Sequence, residues 1–215
     1  MAASEGGSTR EERLARVYAA RGAEELAESY DAWASDYEQD MLALGYTIPA
    51  VAAGFIVGRH VPPESRLLDA GVGTGILGET LRVLGYPKVT GIDLSEGMLE
   101  LARRKGAYSE LRRMTLGEPL DLASDSFDAV VCVGVFTKGQ ASPESLDELV
   151  RVVRPGGRLV FSVREDVYET GGFRERHAEL AEAARWREVQ ASPAFQPFPA
   201  GVTSFMNRVF AFEAS

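Results

Sequence analysis

Three glycines alternate at Gly71, Gly73 and Gly75, just after an aspartate, Asp69. Leu67 and Leu68 before them read as the end of a buried strand. Leu77, Leu81 and Leu84 after them share one face of a helix that Gly85 stops. Strand, glycine-rich turn and helix in that order make a corner where a phosphate or nucleoside can approach the backbone, because glycine carries no side chain to hold it off. The spacing is not the dinucleotide fingerprint G-x-G-x-x-G, since Ile76 stands where the last glycine would fall. Asp69 also sits inside the strand end, where many dinucleotide folds have an apolar residue. The plain alternative is a glycine-rich turn with a capping aspartate, and the motif alone does not separate the two.

A second carboxylate follows. Asp93 ends the next predicted strand, eighteen positions after Gly75, where an acidic side chain can accept hydrogen bonds from both hydroxyls of a ribose. Its structural alternative is a negative charge ahead of the helix that Ser95 opens. Little else is suited to chemistry. His60 and His177 are isolated and read as structural or solvated, and Cys132 alternates within a buried strand as a small apolar residue. Lys138 and Gln140 stand in a predicted loop where a substrate could be met, although a solvated loop explains them as well.

The elements that must position these groups follow from periodicity. Thr9 and Glu12 form a capping-box pattern before a short helix with Leu14, Val17 and Tyr18 on one face. After Gly22, the residues Leu26, Tyr30, Trp33, Tyr37 and Met41 make one apolar and aromatic stripe, ended by Gly45. Its core-packing reading competes with a lid over the ligand crevice, for which Trp33 and Tyr37 would line the pocket. In the lid reading, Asp31, Asp36, Glu38 and Asp40 keep the outer side wet, and the short helix before it serves as a brace. Pro49 starts a third helix carrying Val51, Phe55 and Ile56. From residue 66 onward strand and helix alternate, which argues for a parallel sheet covered on both faces. Strands are expected over 66–70, 88–92, 111–116, 127–133 and 158–163, with 186–190 and 204–213 closing the sheet as an antiparallel pair. The helix after Ser95 turns Met98, Leu101 and Ala102 inward and ends at Gly106. Another opens at Ser142 and Pro143 and is stopped by Arg154-Pro155-Gly156-Gly157, and a charged one ends near Arg185. The fold class is therefore α/β: a Rossmann-like, seven-stranded, mostly parallel sheet with helices on both faces and a C-terminal antiparallel hairpin. One domain is expected, made of a disordered tail over 1–8, a helical extension and lid over 9–65, and the core over 66–215.

Composition narrows the partners. The 215 residues carry 23 Lys and Arg against 32 Asp and Glu, a formal charge of −9, which disfavours a nonspecific grip on nucleic acid. Arg103-Arg104-Lys105 lie at a predicted helix end, where they complement the macrodipole. The single cysteine rules out an internal disulfide and leaves no cysteine-based metal site. No apolar run reaches the length of a membrane span, and no secretory signal is evident. The expectation is a cytoplasmic protein, the nucleus remaining open, with a small-molecule substrate, no nucleic acid, no membrane and no metal. The oligomeric state is not legible.

Asp69 to Gly75, Gly91-Ile92-Asp93-Leu94-Ser95, Ser126-Phe127-Asp128-Ala129-Val130 and Arg154-Pro155-Gly156-Gly157 together resemble, in order, the motifs of the class I S-adenosylmethionine-dependent methyltransferases. Tyr30 to Tyr37, Thr115-Leu116-Gly117 and Val133-Gly134 draw the resemblance closer to its methyltransferase-like members. The resemblance implies S-adenosylmethionine as cofactor and a map of its site. Asp69 and Ala70, with the backbone of Gly71 and Gly73, would receive the methionyl moiety, and Asp93 the ribose. Leu94 and Met98 would flank the adenine, and Thr115, Leu116 and Gly117 would form its edge. Val133 and Gly134 would border the sulfonium. The chain departs from the commoner pattern at Leu116, which removes a side-chain acceptor for the adenine amino group. No catalytic residue is assigned, because in-line methyl transfer to a thiolate, a neutral amine or an enolate demands positioning rather than a fixed base. A protein that binds the cofactor without transferring its methyl is the competing reading.

Overall fold

The computed structural model describes residues 8–58, 61–201 and 204–215. The expected tail falls outside them except for Ser8, whose carbonyl accepts from the Arg13 guanidinium. His60 falls outside as well.

Seven strands form one sheet: β1 (Leu67–Ala70), β2 (Val89–Asp93), β3 (Glu110–Arg113), β4 (Phe127–Phe136), β5 (Val153–Arg164), β6 (Trp186–Ala191) and β7 (Asn207–Ala214). Their order is β3-β2-β1-β4-β5-β7-β6. All pairings are parallel as far as β5, after which β7 and β6 run antiparallel. This is the expected α/β architecture. The chain order reverses between β1 and β4, so the crevice at their carboxyl ends is where such a sheet takes a ligand.

Both faces are buried, and alternation decides which residue faces which layer. Leu68, Val130 and Cys132 pack with Leu146, Leu149 and Phe173 on one side. Leu67, Ala129, Val131 and Val133 pack with Ile48, Ala52, Ile56, Leu77 and Leu81 on the other. The first face belongs to α6 (Ser145–Val152) and α8 (Phe173–Glu182), the second to α3 (Ile48–Gly58) and α4 (Ile76–Val83). The helical extension therefore divides: α3 covers the sheet, while α1 (Arg10–Ala19) and α2 (Ala23–Leu44) build a third cluster around Val17, Leu26, Trp33, Met41 and Phe198.

Several boundaries move. The third strand ends at Arg113 rather than 116, and α6 starts at Ser145 rather than beside Pro143. On α5 (Glu96–Lys105), capped by Ser95 as expected, Leu99 is buried alongside Met98 and Ala102, and Leu101 is only partly covered. A short helix, α7 (Glu165–Thr170), is an addition that periodicity did not show. The Arg154-Pro155-Gly156-Gly157 turn lies within the span of β5 as a register break between Phe127 and Ala129. Asp128 explains it: its carboxylate accepts from Arg154 Nε at 2.6 Å and from the Arg66 backbone N–H at 2.7 Å. A Cβ on Gly157 would stand 2.8 Å from the Asp128 carbonyl oxygen, so only glycine passes there.

Candidate functional site

A cleft of about 330 Å³ opens at the carboxyl ends of β1, β2 and β4. Gly71 and Gly73 form its floor, Asp93 and Leu94 one wall, and Met98 the base of α5. Thr115, Leu116 and Gly117 close one end, and Val133 and Gly134 the other. Helix α2 roofs it with Leu26, Tyr30 and Tyr37, joined by Tyr46.

Asp93 organises the corner. Its Oδ2 accepts from the Gly73 backbone N–H at 2.8 Å and its Oδ1 from that of Ser95 at 2.9 Å. Burial pushes the carboxyl up, the backbone N–H groups of Ser95, Gly73 and Leu94 oppose it, and the nearby Asp31 adds to the rise. Each carboxylate oxygen retains a lone pair for a ligand. Gly71, at φ +89°, is required by space as well as by conformation, because a Cβ there would meet Val135 Cγ2 at 2.3 Å.

Asp69 is fully buried beside this cleft, not on it. It lines an adjoining cavity of about 40 Å³ with Thr74, which shares Gly71, Gly73, Tyr37 and Tyr46 with the main cleft. Its Oδ2 accepts from the Tyr108 hydroxyl at 2.7 Å, whereas Oδ1 and Thr74 Oγ1 are buried with no partner among the described residues. Burial pushes the Asp69 carboxyl up to about 7, the Tyr108 hydrogen bond opposes it, and Asp93 adds to it. Two unpartnered buried oxygens at one spot are costly unless a ligand completes them.

Trp33 and Ala70 are not part of the cleft. Ala70 is wholly buried in the sheet core. Trp33 is 2% exposed, and its indole N–H donates to Asp40 Oδ2 at 2.8 Å. The same carboxylate accepts from Arg10 Nε at 3.2 Å and Arg13 NH2 at 2.7 Å, clamping α1 to α2. Asp40 therefore faces inward, contrary to the expectation of a wet outer row. Asp31 is likewise engaged, its Oδ1 accepting from Ser95 Oγ and from the Gly97 N–H at 2.9 Å, which seats α2 on the start of α5. Asp36 and Glu38 do keep roughly half-exposed side chains. The helical stripe thus splits: Trp33 and Met41 stay off the main cleft, and Leu26, Tyr30 and Tyr37 line it.

Tyr46 reaches the site without having been assigned to it from sequence, and Gln140, named there as a loop residue that a substrate could meet, lines it too. Gln140 Nε2 donates to the Tyr30 hydroxyl at 2.9 Å across the cleft mouth. Gly134 lets Tyr46 in, since a Cβ there would lie 2.4 Å from its hydroxyl. Glu118, two residues beyond Leu116, also lines the cleft. Tyr30 carried a signal, its place in the stripe. Tyr46 lies just past the helix end and carried none. His177 is remote, bonded through Nδ1 to the Tyr168 hydroxyl at 2.9 Å and packed on Phe212, and burial lowers its pKa. Burial also drives the Cys132 thiol well up, so it stays protonated.

Residues 68–161 match the methyltransferase domain family. Human methyltransferase-like protein 27 is 38% identical over 213 residues, which cover 94% of this chain and 85% of that protein. The chain belongs to the S-adenosylmethionine-dependent methyltransferases. Demethylmenaquinone methyltransferase of Symbiobacterium thermophilum is 36% identical over 113 residues, spanning 49% of the methyltransferase described here and 45% of its own length. The fold is shared with an S-adenosylmethionine-dependent methyltransferase of Thermotoga maritima, at TM-score 0.62 and 20% identity, covering 86% of this chain and 98% of that one. It is shared too with the methyltransferase in complex with the Trm112 activator of Haloferax volcanii, at TM-score 0.66 and 20% identity, covering 87% and 96%.

The site suits a methyltransferase's cationic cofactor. Asp93 and Glu118 line the cleft and Asp69 the adjoining cavity, and among the described residues no Lys or Arg lines either. A sulfonium and an ammonium are favoured in such a field, and a dinucleotide pyrophosphate is not. Among the described residues no cluster of His, Cys, Asp and Glu could hold a metal ion, and no single helix is long and apolar enough to cross a membrane.

Proposed function

We propose that this methyltransferase acts on a small acceptor admitted beneath α2, with its cofactor lying from the Asp69 cavity to the turn at Thr115–Gly117. The observation that carries this reading is the roofed cleft. Its volume of about 330 Å³ is near the low end of the ~300–1,000 Å³ range for pockets that enclose one small ligand. A folded macromolecule would have to present its methylated atom past the Tyr30–Gln140 contact.

S-Adenosylmethionine supplies a methyl carbon already activated by its sulfonium. Asp69 Oδ1 and Thr74 Oγ1, both lacking partners, receive the amino-acid end, and Asp93 takes the ribose hydroxyls. Leu94 and Met98 flank the adenine. Glu118 replaces the side-chain acceptor missing at Leu116, and Thr115 and Gly117 set the edge beside it. Val133 and Gly134 border the sulfonium. Tyr30, Tyr37 and Tyr46 exclude water and hold the acceptor in line. Burial raises all three phenols far above neutrality, so they donate hydrogen bonds and do not take a proton. The demethylmenaquinone and ubiquinone-biosynthesis methyltransferases among the relatives support a small acceptor by their names.

The test is turnover of S-adenosylmethionine to S-adenosylhomocysteine with a cell extract split by molecular size. Product should form with the low-molecular-mass fraction. Formation only with the protein or nucleic-acid fraction would overturn the small-acceptor reading.

A further inference from the structure

A second chamber, of about 50 Å³, lies behind the tyrosines that roof the cleft and shares Tyr30, Tyr37, Tyr46, Gly134 and Gln140 with it. Its far wall is made where three strands end together. Thr137 follows the last residue of β4, Arg164 ends β5, and Asn207 begins β7 directly opposite Arg164 in the antiparallel register. This is the same carboxyl-end crevice that holds the cofactor cleft, one strand further along the sheet.

Two features of that wall call for a ligand. Asn207 is 2% exposed, and its Oδ1 has no hydrogen-bond partner among the described residues. Thr137 Oγ1 is also buried and unpartnered. A buried amide oxygen accepts only, so what completes it must bring an O–H or N–H. The charge of the chamber excludes the cationic donors among these. Among the described residues no acidic side chain lines it and Arg164 is its one charged group, so an ammonium finds no counter-charge there. A carboxylate is disfavoured too. The Arg164 guanidinium is already held by Asp166, Nε to Oδ1 at 2.9 Å and NH2 to Oδ2 at 2.6 Å, and Asn207 Oδ1 would face the anion. Apart from Gln140, the rest of the lining is apolar or aromatic, with the Phe205 ring 4.2 Å from the Arg164 guanidinium carbon.

We propose that this chamber anchors the acceptor through a neutral hydroxyl on a planar, apolar body, the hydroxyl donating to Asn207 Oδ1 beside Thr137 Oγ1. At about 50 Å³ it has room for the hydroxyl and the ring edge that bears it. The remainder of the acceptor lies at the junction with the main cleft, between Tyr30, Tyr37 and Tyr46. Entry breaks the Tyr30–Gln140 hydrogen bond, which otherwise partitions the two spaces. The proposal rests on the small-acceptor reading and adds the chemistry that selects the acceptor.

The experiment is calorimetric and needs no turnover. Protein saturated with S-adenosylhomocysteine is titrated with p-cresol and with its isomer anisole, which has the same atoms but no O–H, and then with benzylamine and benzoate. We expect p-cresol to bind about tenfold more tightly than anisole, the scale of one buried hydrogen bond, and the two ions to bind more weakly than p-cresol. Thr137→Val is nearly isosteric and removes an unpartnered hydroxyl, so it should fold normally and narrow the preference. Asn207→Leu should abolish it. Equal affinity for the two isomers, tighter binding of benzylamine or benzoate, or a preference unchanged in both variants would overturn the proposal. S-Adenosylhomocysteine binding, measured first on the same samples, separates the cases. Its loss removes the cofactor reading itself, whereas its presence without p-cresol selectivity refutes the chamber alone.

Discussion

The cofactor corner and the acceptor chamber lie side by side on one sheet, yet they are built in different ways. The corner is assembled from residues close in sequence. Asp69, Gly71, Gly73 and Asp93 span one β-α-β unit, and the Gly73 N–H to Asp93 hydrogen bond ties its two ends together. The chamber is assembled from α2, the ends of β4 and β5, and the start of β7, so Tyr30 and Asn207 meet only because the whole sheet has formed. In the corner the Asp93 carboxylate is fixed by the backbone N–H groups of Gly73 and Ser95, whose directions follow from strand and turn. The chamber works through side chains. A corner of this kind can recur across many enzymes with one cofactor, while the chamber is free to change with the acceptor.

The largest expected effect falls on the corner. Asp93→Ala should lower S-adenosylhomocysteine affinity by about 2–3 kcal/mol, roughly 30- to 150-fold, because charge-assisted hydrogen bonds to two hydroxyls are lost. Calorimetry showing an unchanged dissociation constant would remove Asp93 from the ribose. NAD should not bind either protein.

A smaller effect comes from pH. Burial keeps the Asp69 carboxyl protonated up to about 7 in the folded chain, against an ordinary value of 3.8. Between those two values the folded chain holds a proton that the unfolded chain has released. The contribution of Asp69 to the stability of the empty protein therefore falls as pH rises from about 4 to 7 and levels off above. Binding has the opposite slope, since an ammonium against Asp69 Oδ1 favours the ionised carboxylate. Affinity for S-adenosylhomocysteine should rise up to about tenfold from pH 6 to 8, and Asp69→Asn should flatten the profile. If wild type and variant trace the same curve, the amino-acid end lies elsewhere.

The smallest effect separates two aromatic residues one helical turn apart. Trp33→Phe deletes the hydrogen bond to Asp40 and should cost about 1 kcal/mol of stability in urea unfolding, with little change in cofactor affinity. Tyr37→Ala should weaken cofactor binding more than it lowers the melting temperature of the empty protein. Hydrogen exchange over residues 26–45 should slow when S-adenosylhomocysteine is added, as expected of a roof held by its ligand. Exchange indifferent to ligand, with both variants merely less stable, would make α2 core throughout.

What the sequence determined by itself was the corner and the sheet around it. Glycine spacing, a carboxylate at a strand end and alternating apolar runs are local signals, and each reports a backbone conformation that its own residues impose. The two-faced burial of β4 and the caps at Thr9 and Ser95 were legible for the same reason. Only the tertiary structure decided which face of α2 was which. Trp33 and Tyr37 carry the same periodic signal, and Asp40 was indistinguishable from Asp36 as an outer charge until α1 brought Arg10 and Arg13 against it. Tyr46, Gln140, Thr137 and Asn207 lie in turns or at strand ends, where no periodicity operates. Their places follow from sheet register and helix docking, which depend on contacts far apart in the chain, Tyr30 and Gln140 meeting across 110 positions.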